Sequence, residues 1–207
     1  GTFIILACFI LAMLTYENER YSYSVLNHFI SELGHTGNSP LFFLFSLGLC
    51  IGGPLLTIVL MAVHYHIDNK WSNIAMRIGI ASGIACFFVG VFPADVFLMP
   101  HIVAALIFFF GSLITSALFS AAIFFDQENK LPKWYLLPSL LVVICGAIFL
   151  GLPTEEVAKF IKDREAYDRP FLWLNPFFEW MVFFSLVAWM LILSFYLKNK
   201  YPSSEEN

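Results

Sequence analysis

Six ionisable side chains from three separate stretches of the chain fall beside apolar runs at a similar expected depth: His28, Glu32, His35, Asp95, His101 and Glu179. An ionisable group inside hydrocarbon costs roughly 3 kcal/mol or more, so such groups usually face a bundle interior or a water-filled cavity. The first stretch is Asn27-His28-Phe29-Ile30-Ser31-Glu32-Leu33-Gly34-His35, with Asn38 close behind. Leu26, Phe29, Ile30 and Leu33 suggest a helix, which would put His28, Glu32 and His35 on one face and end at Gly34. The second stretch, Gly90-Val91-Phe92-Pro93-Ala94-Asp95 followed by Pro100-His101, bends at its prolines and sets Asp95 and His101 at one rim. The third begins at Asn175-Pro176 and carries Glu179 about one turn into an apolar run.

Three chemistries fit these residue types. His28, Glu32, His35, Asp95 and His101 include enough nitrogen and oxygen donors for a divalent metal such as zinc, with one position left for water. Their spacing does not match a strong metal signature such as H-E-x-x-H. A second arrangement has Ser31 as nucleophile, His101 as base, and Asp95 or Glu179 orienting the base. A third uses Ser31, Glu32, Asn38, Asp95, His101 and Glu179 to bind a cation, a proton, a small solute or a lipid headgroup, with transport as one use of such a site.

The elements that must position these groups are membrane spans. Of 207 residues, 59% are hydrophobic, 13% are charged and 24 are phenylalanine. A soluble domain carries about a quarter charged residues, and this much phenylalanine would leave large adhesive patches in water. The expected fold is all-α: one polytopic transmembrane helical bundle over 1–207 with about six spans, near 1–16, 40–66, 72–93, 101–125, 133–152 and 177–197. Continuous apolar runs of this length satisfy their backbone in lipid only as helices. The first run, Phe3 to Leu14, is short for a crossing; a span is preferred over a signal-peptide core because no A-x-A-like site follows it. Gly79, Gly83 and Gly90 on the third span, and Gly48 and Gly52 on the second, have the spacing of close helix packing. The four cysteines lie in apolar runs with no CxxC spacing, so no disulfide framework is expected.

Between spans five and six, 153–170 reads as a short amphipathic interfacial helix. Thr154 is its candidate cap, with Val157, Phe160 and Ile161 on its apolar face. A polar tail occupies 201–207. Lys70, Arg77, Lys130, Lys133, Lys198 and Lys200 collect at short connections on one side, whereas acids outnumber bases on the other. The positive-inside rule then puts both termini in the cytoplasm of a multi-pass cell-membrane protein, with the acidic and histidine-bearing side outward.

At Ser31-Glu32-Leu33-Gly34, Gly90 to Asp95, His101 and Glu179-Trp180, the chain resembles an integral-membrane family of bacteria and archaea, domain of unknown function 998. The resemblance runs from about residue 24 to 195 and implies a six-helix fold with a shared polar feature, without supplying a reaction. Such families tend to carry an arginine after the late glutamate, where this chain has Trp180. The leading expectation is an outward-facing acidic and histidine pocket for a lipid headgroup, small solute or cation. A metal-dependent membrane-embedded hydrolase is the main alternative, and an accessory subunit of a membrane complex is another. Expected partners are membrane lipids and a helix-helix partner in the bilayer, with no nucleic acid among them.

Overall fold

The computed structural model describes residues 2–17, 22–37, 40–164 and 166–200. Every regular element among the described residues is helical: α1 (Thr2–Leu14), α2 (Phe42–Ile67), α3 (Lys70–Val91), α4 (Leu98–Phe124), α5 (Leu136–Gly151), α6 (Glu155–Lys162) and α7 (Leu174–Lys200). Short 3-10 turns at Ile30–Gly34 and Lys133–Tyr135 complete the set. Five helices are long and apolar enough to cross a membrane: α2, α3, α4, α5 with its preceding turn, and α7. Phe3, Ile58, Phe110, Leu137 and Ile144 are exposed on the outside, where lipid tails can cover them.

The first run is not a full-length span in this structure. At 13 residues, α1 is ~20 Å long against a hydrocarbon core of ~30 Å. It lies antiparallel along the first half of α2, with Ile5 against Gly52 and Phe9 edge-to-face with Phe45 and against Gly48. Two helix starts also differ from expectation. Both α4 and α7 begin three residues early, because Pro100 and Pro176 fit inside a first turn, where a missing N–H leaves no bond unmade. The bend between α3 and α4 therefore rests on Phe92-Pro93 alone.

Helices α2, α3, α4, α5 and α7 pack in chain order, and α7 closes back onto α2. The apolar core of the half remote from the candidate site contains Leu60, Val63, Ile67, Phe119, Trp189 and Leu193. The glycines divide their work by partner. Gly48 and Gly52 face α1, whereas Gly53 meets Gly83 of α3 backbone to backbone: a Cβ on Gly83 would lie 2.7 Å from the Gly53 carbonyl oxygen. Gly90 approaches the Ser46 carbonyl equally closely. Close approach of this kind holds helices together where lipid offers no hydrophobic drive. Gly53→Ala, whose new methyl group would press on the Gly83 carbonyl, is expected to cost about 1–3 kcal/mol. Thermal unfolding of the purified protein in detergent measures this, and an unchanged midpoint would show that α2 and α3 separate freely.

Helix α6 is shorter than the 153–170 expectation. Thr154 holds the cap position but its side chain makes no capping bond. Phe160 is buried, Val157 half-buried and Ile161 exposed. Between Lys162 and Leu174 the described residues form no helix, and this strap crosses the end of the bundle where the candidate residues gather.

Candidate functional site

The segment 22–37 is not the expected helix, so His28, Glu32 and His35 do not share a helical face. Phe29 is extended (φ −63°, ψ 145°), and only Ile30–Gly34 winds into a 3-10 turn. The reason lies in where the backbone donors go. Phe29 N–H donates to Glu32 Oε1 at 2.8 Å, and Ile30 N–H donates to Glu179 Oε2 at 2.7 Å. Two carboxylates thus replace the carbonyls that a helix would have offered.

The segment is a cap stitched to the strap and to α7. Arg169 donates from Nη1 to Glu32 Oε1 at 2.9 Å and from Nη2 to Oε2 at 2.6 Å, a bidentate pair with 7% and 3% side-chain exposure. The same guanidinium donates to the Asn27 carbonyl and lies 4.7 Å over the Phe160 ring. Asn27 Nδ2 donates to the Pro170 carbonyl, Trp173 N–H to the Leu26 carbonyl, and Trp180 Nε1 to the His28 carbonyl. Nothing in the spacing of the sequence marks Arg169 as the partner of Glu32; the adjacent Pro170, which stiffens the chain there, is the one local signal.

His28 is 1% exposed and sits between the rings of Tyr16 and Tyr23. Its Nδ1 lies 2.7 Å from Asn27 Oδ1 and 3.3 Å from the Ser24 N–H, and its Nε2 is buried with no partner among the described residues. Burial, with Arg169 nearby, brings its pKa down to about 4. Glu32 opposes that shift. His35 is also buried, with Arg164 Nη1 3.1 Å from its Nε2; burial and then that guanidinium lower its pKa to about 4. Both imidazoles are therefore neutral at pH 7. Because the folded values lie below the unfolded value of about 6.5, the unfolded chain binds more protons between about pH 4 and 6.5. Stability is expected to be flat above pH 6.5 and to fall below it, by up to about 1.4 kcal/mol per pH unit for each histidine. Unfolding midpoints across that range check this, and His28→Gln and His35→Gln should each flatten the slope.

Asp95 is exposed between α3 and α4, where its Oδ2 accepts from Thr36 N–H at 2.8 Å and from Thr36 Oγ1 at 2.6 Å. Burial acts to raise its pKa, but the Thr36 donors and His35 together bring it below the usual carboxylate value. Asp95 thus ties the cap to the α3–α4 connection. His101 Nδ1 donates to the Phe92 carbonyl at 2.7 Å, beside the Pro93 bend, which makes Nε2 the acceptor nitrogen.

Beneath the cap lies a cavity of about 90 Å³. Its walls are apolar: Phe9 of α1, Phe45 and Leu56 of α2, Val89 of α3, Phe108 of α4, and Phe183, Leu186 and Met190 of α7. Ser31, His101 and Glu179 are the polar residues that line it with ionisable or hydroxyl groups other than thiol. Of the predicted binding residues, Ser31, His101 and Glu179 are among those that line the cavity, whereas Glu32 and Asp95 are engaged in cap contacts. Asn38 lies outside the described residues. The predicted metal donors His28, Glu32, His35, Asp95 and His101 share one end of the bundle. Among the described residues, no three His, Cys, Asp or Glu side chains converge as a metal site requires.

No match was found among curated proteins or among solved structures. A family model described as "Protein of unknown function (DUF998)" matches residues 1–196. With that match over nearly its whole length and five apolar helices of spanning length, the chain is a multi-pass membrane protein that belongs to the DUF998 family.

Proposed function

We propose that the protein binds an amphiphile from the membrane, holding the end of one hydrocarbon chain in the capped cavity. The observation that carries this reading is the cavity itself: an apolar chamber inside the bundle with Ser31, His101 and Glu179 on its lining. Its volume is below the ~150 Å³ of a cavity that admits benzene, so it suits a chain end and excludes a whole two-chain lipid. The basic end of the bundle, with Lys70, Lys130, Lys133, Lys198 and Lys200, faces the cytoplasm in this reading, and the cap faces outward.

Protein extracted in a mild neutral detergent should carry a bound amphiphile detectable by native mass spectrometry. Ala105→Trp, which fills the cavity from α4, should lose it while the protein stays monodisperse. Equal occupancy in this variant would refute the assignment of the cavity.

The shared position of Ser31 and His101 supports a second reading, a membrane-embedded hydrolase with Ser31 as nucleophile and His101 Nε2 as base. Covalent labelling of Ser31 by a lipophilic fluorophosphonate, abolished in Ser31→Ala, would favour it over simple binding.

A further inference from the structure

We infer that the lipid-facing side of the α3–α4 seam holds a phospholipid of net negative charge, its phosphate at Lys70 and Arg77 and one acyl chain in the groove beyond them. This site is separate from the capped cavity. Val89 and Phe108 of these two helices line that cavity, whereas Phe88 and Ile107 line the groove.

Lys70 and Arg77 are the charged residues of α3. Arg77 lies seven residues beyond Lys70, ~10 Å along the helix, so it belongs to the apolar span and not to a connection. It is exposed and has no hydrogen bond or ion pair among the described residues. Lys70 has no carboxylate partner there either, its ammonium lying 4.9 Å over the Trp71 ring. Helices α1 to α5 contain no aspartate or glutamate. An unpaired guanidinium facing hydrocarbon is costly, and reaching the headgroup level relieves it. Helical side chains tilt toward the N-terminus of their helix, which carries the Arg77 guanidinium back toward Lys70. Lys70, Asn73 and Arg77, at i, i+3 and i+7, share one face. A lipid phosphate supplies the missing countercharge, and a guanidinium can meet it with two parallel N–H donors.

The same face runs on into the groove. Lys70, Arg77, Ala81, Ile84 and Phe88 recur at helical spacing, and all five are exposed. From Ala81 onward this face borders a groove of about 620 Å³ between α3 and α4, within the ~300–1,000 Å³ of a ligand-sized cleft. Ala85 and Ala104 are buried at its floor, with Phe88, Val103 and Ile107 exposed at its sides. Its lining is wholly apolar, so it takes hydrocarbon, and the cations beyond its near end set the sign of the head. Headgroup level and bilayer centre are ~20 Å apart, or ~13 residues of helix. A chain descending from Lys70 passes Ala81 at ~16 Å and so ends inside the groove.

The test uses the full chain, purified and delipidated in maltoside detergent, with native mass spectrometry and thermal shift as readouts. Dioleoylphosphatidylglycerol should bind about ten-fold or more tightly than dioleoylphosphatidylcholine, the effect of two basic contacts. Arg77→Gln should remove that preference, and Arg77→Lys should keep part of it. In both variants the amphiphile of the capped cavity should stay bound, which separates failure of this site from failure of that one. Ala81→Trp, which blocks the near end of the groove, should weaken dioleoylphosphatidylglycerol. Equal binding of the two lipids to the wild type would overturn the inference, as would an undiminished preference in Arg77→Gln. Unchanged affinity in Ala81→Trp would remove the chain from the groove. Saturable binding of glycerol 3-phosphate, the head without chains, would make this an anion site and overturn the lipid assignment. The wild-type ranking needs no variant, so it stays decisive if a variant fails to fold.

Discussion

Arg169→Met is expected to destabilise the protein by about 3–5 kcal/mol, because it leaves Glu32 buried without its countercharge. Methionine keeps the apolar stem that crosses Phe160, so the loss reports the guanidinium and not the packing alone. Glu32→Leu should cost a comparable amount, leaving Arg169 buried and unpaired. The double variant Glu32→Leu/Arg169→Met should be less harmful than the sum of the two singles, since removing both charges removes the desolvation penalty with them. A double-mutant cycle from unfolding midpoints in detergent measures the coupling. Strictly additive singles would mean that the pair does not hold the cap to the strap.

Trp180→Ala is the second change with a large expected effect, about 3–5 kcal/mol. Trp180 is 3% exposed and packs against Tyr23, Phe183 and Phe184, and its indole donates to the His28 carbonyl at 3.1 Å. Trp180→Phe separates the two contributions. It keeps an aromatic ring and removes the donor, leaving the buried carbonyl unmatched, for an expected loss of about 1–3 kcal/mol. Alanine and phenylalanine variants with equal midpoints would show that packing at Trp180 contributes little. The same variants read out the cap: protease susceptibility within 22–37 should rise in both, and further in the alanine variant.

The membrane spans were legible because their signal is local and long. An unbroken apolar run such as 101–125 admits only a helix in lipid, and its true start at Leu98 differs only because Pro100 is tolerated in a first turn. The gathering of His28, Glu32, His35, Asp95, His101 and Glu179 at one end was also legible, since depth follows from distance along a span. What each group touches was not. The 24–35 stretch has the spacing of a helix, yet Glu32 and Glu179 capture the N–H groups of Phe29 and Ile30 and override that pattern. Glu179 lies 149 residues from its backbone partner, and Arg169 lies 137 from Glu32, separations at which periodicity carries no information. The cavity was invisible for the same reason. Its walls come from α1, α2, α3, α4 and α7, and a void is a property of their packing that no single run encodes.

Those long separations set an order on biogenesis. The cap segment leaves the ribosome well over a hundred residues before Arg169, Trp173, Glu179 and Trp180, its main anchors. Until the strap and α7 are in place, Glu32 lacks its guanidinium, the Ile30 N–H lacks the Glu179 carboxylate, and the chamber lacks its α7 wall. The nascent bundle therefore passes through a stage in which α2 to α5 are formed and their pocket stands open on its α7 side. Closure waits on α7, and a chain truncated before α7 would be a target for quality-control proteolysis rather than a partly working protein.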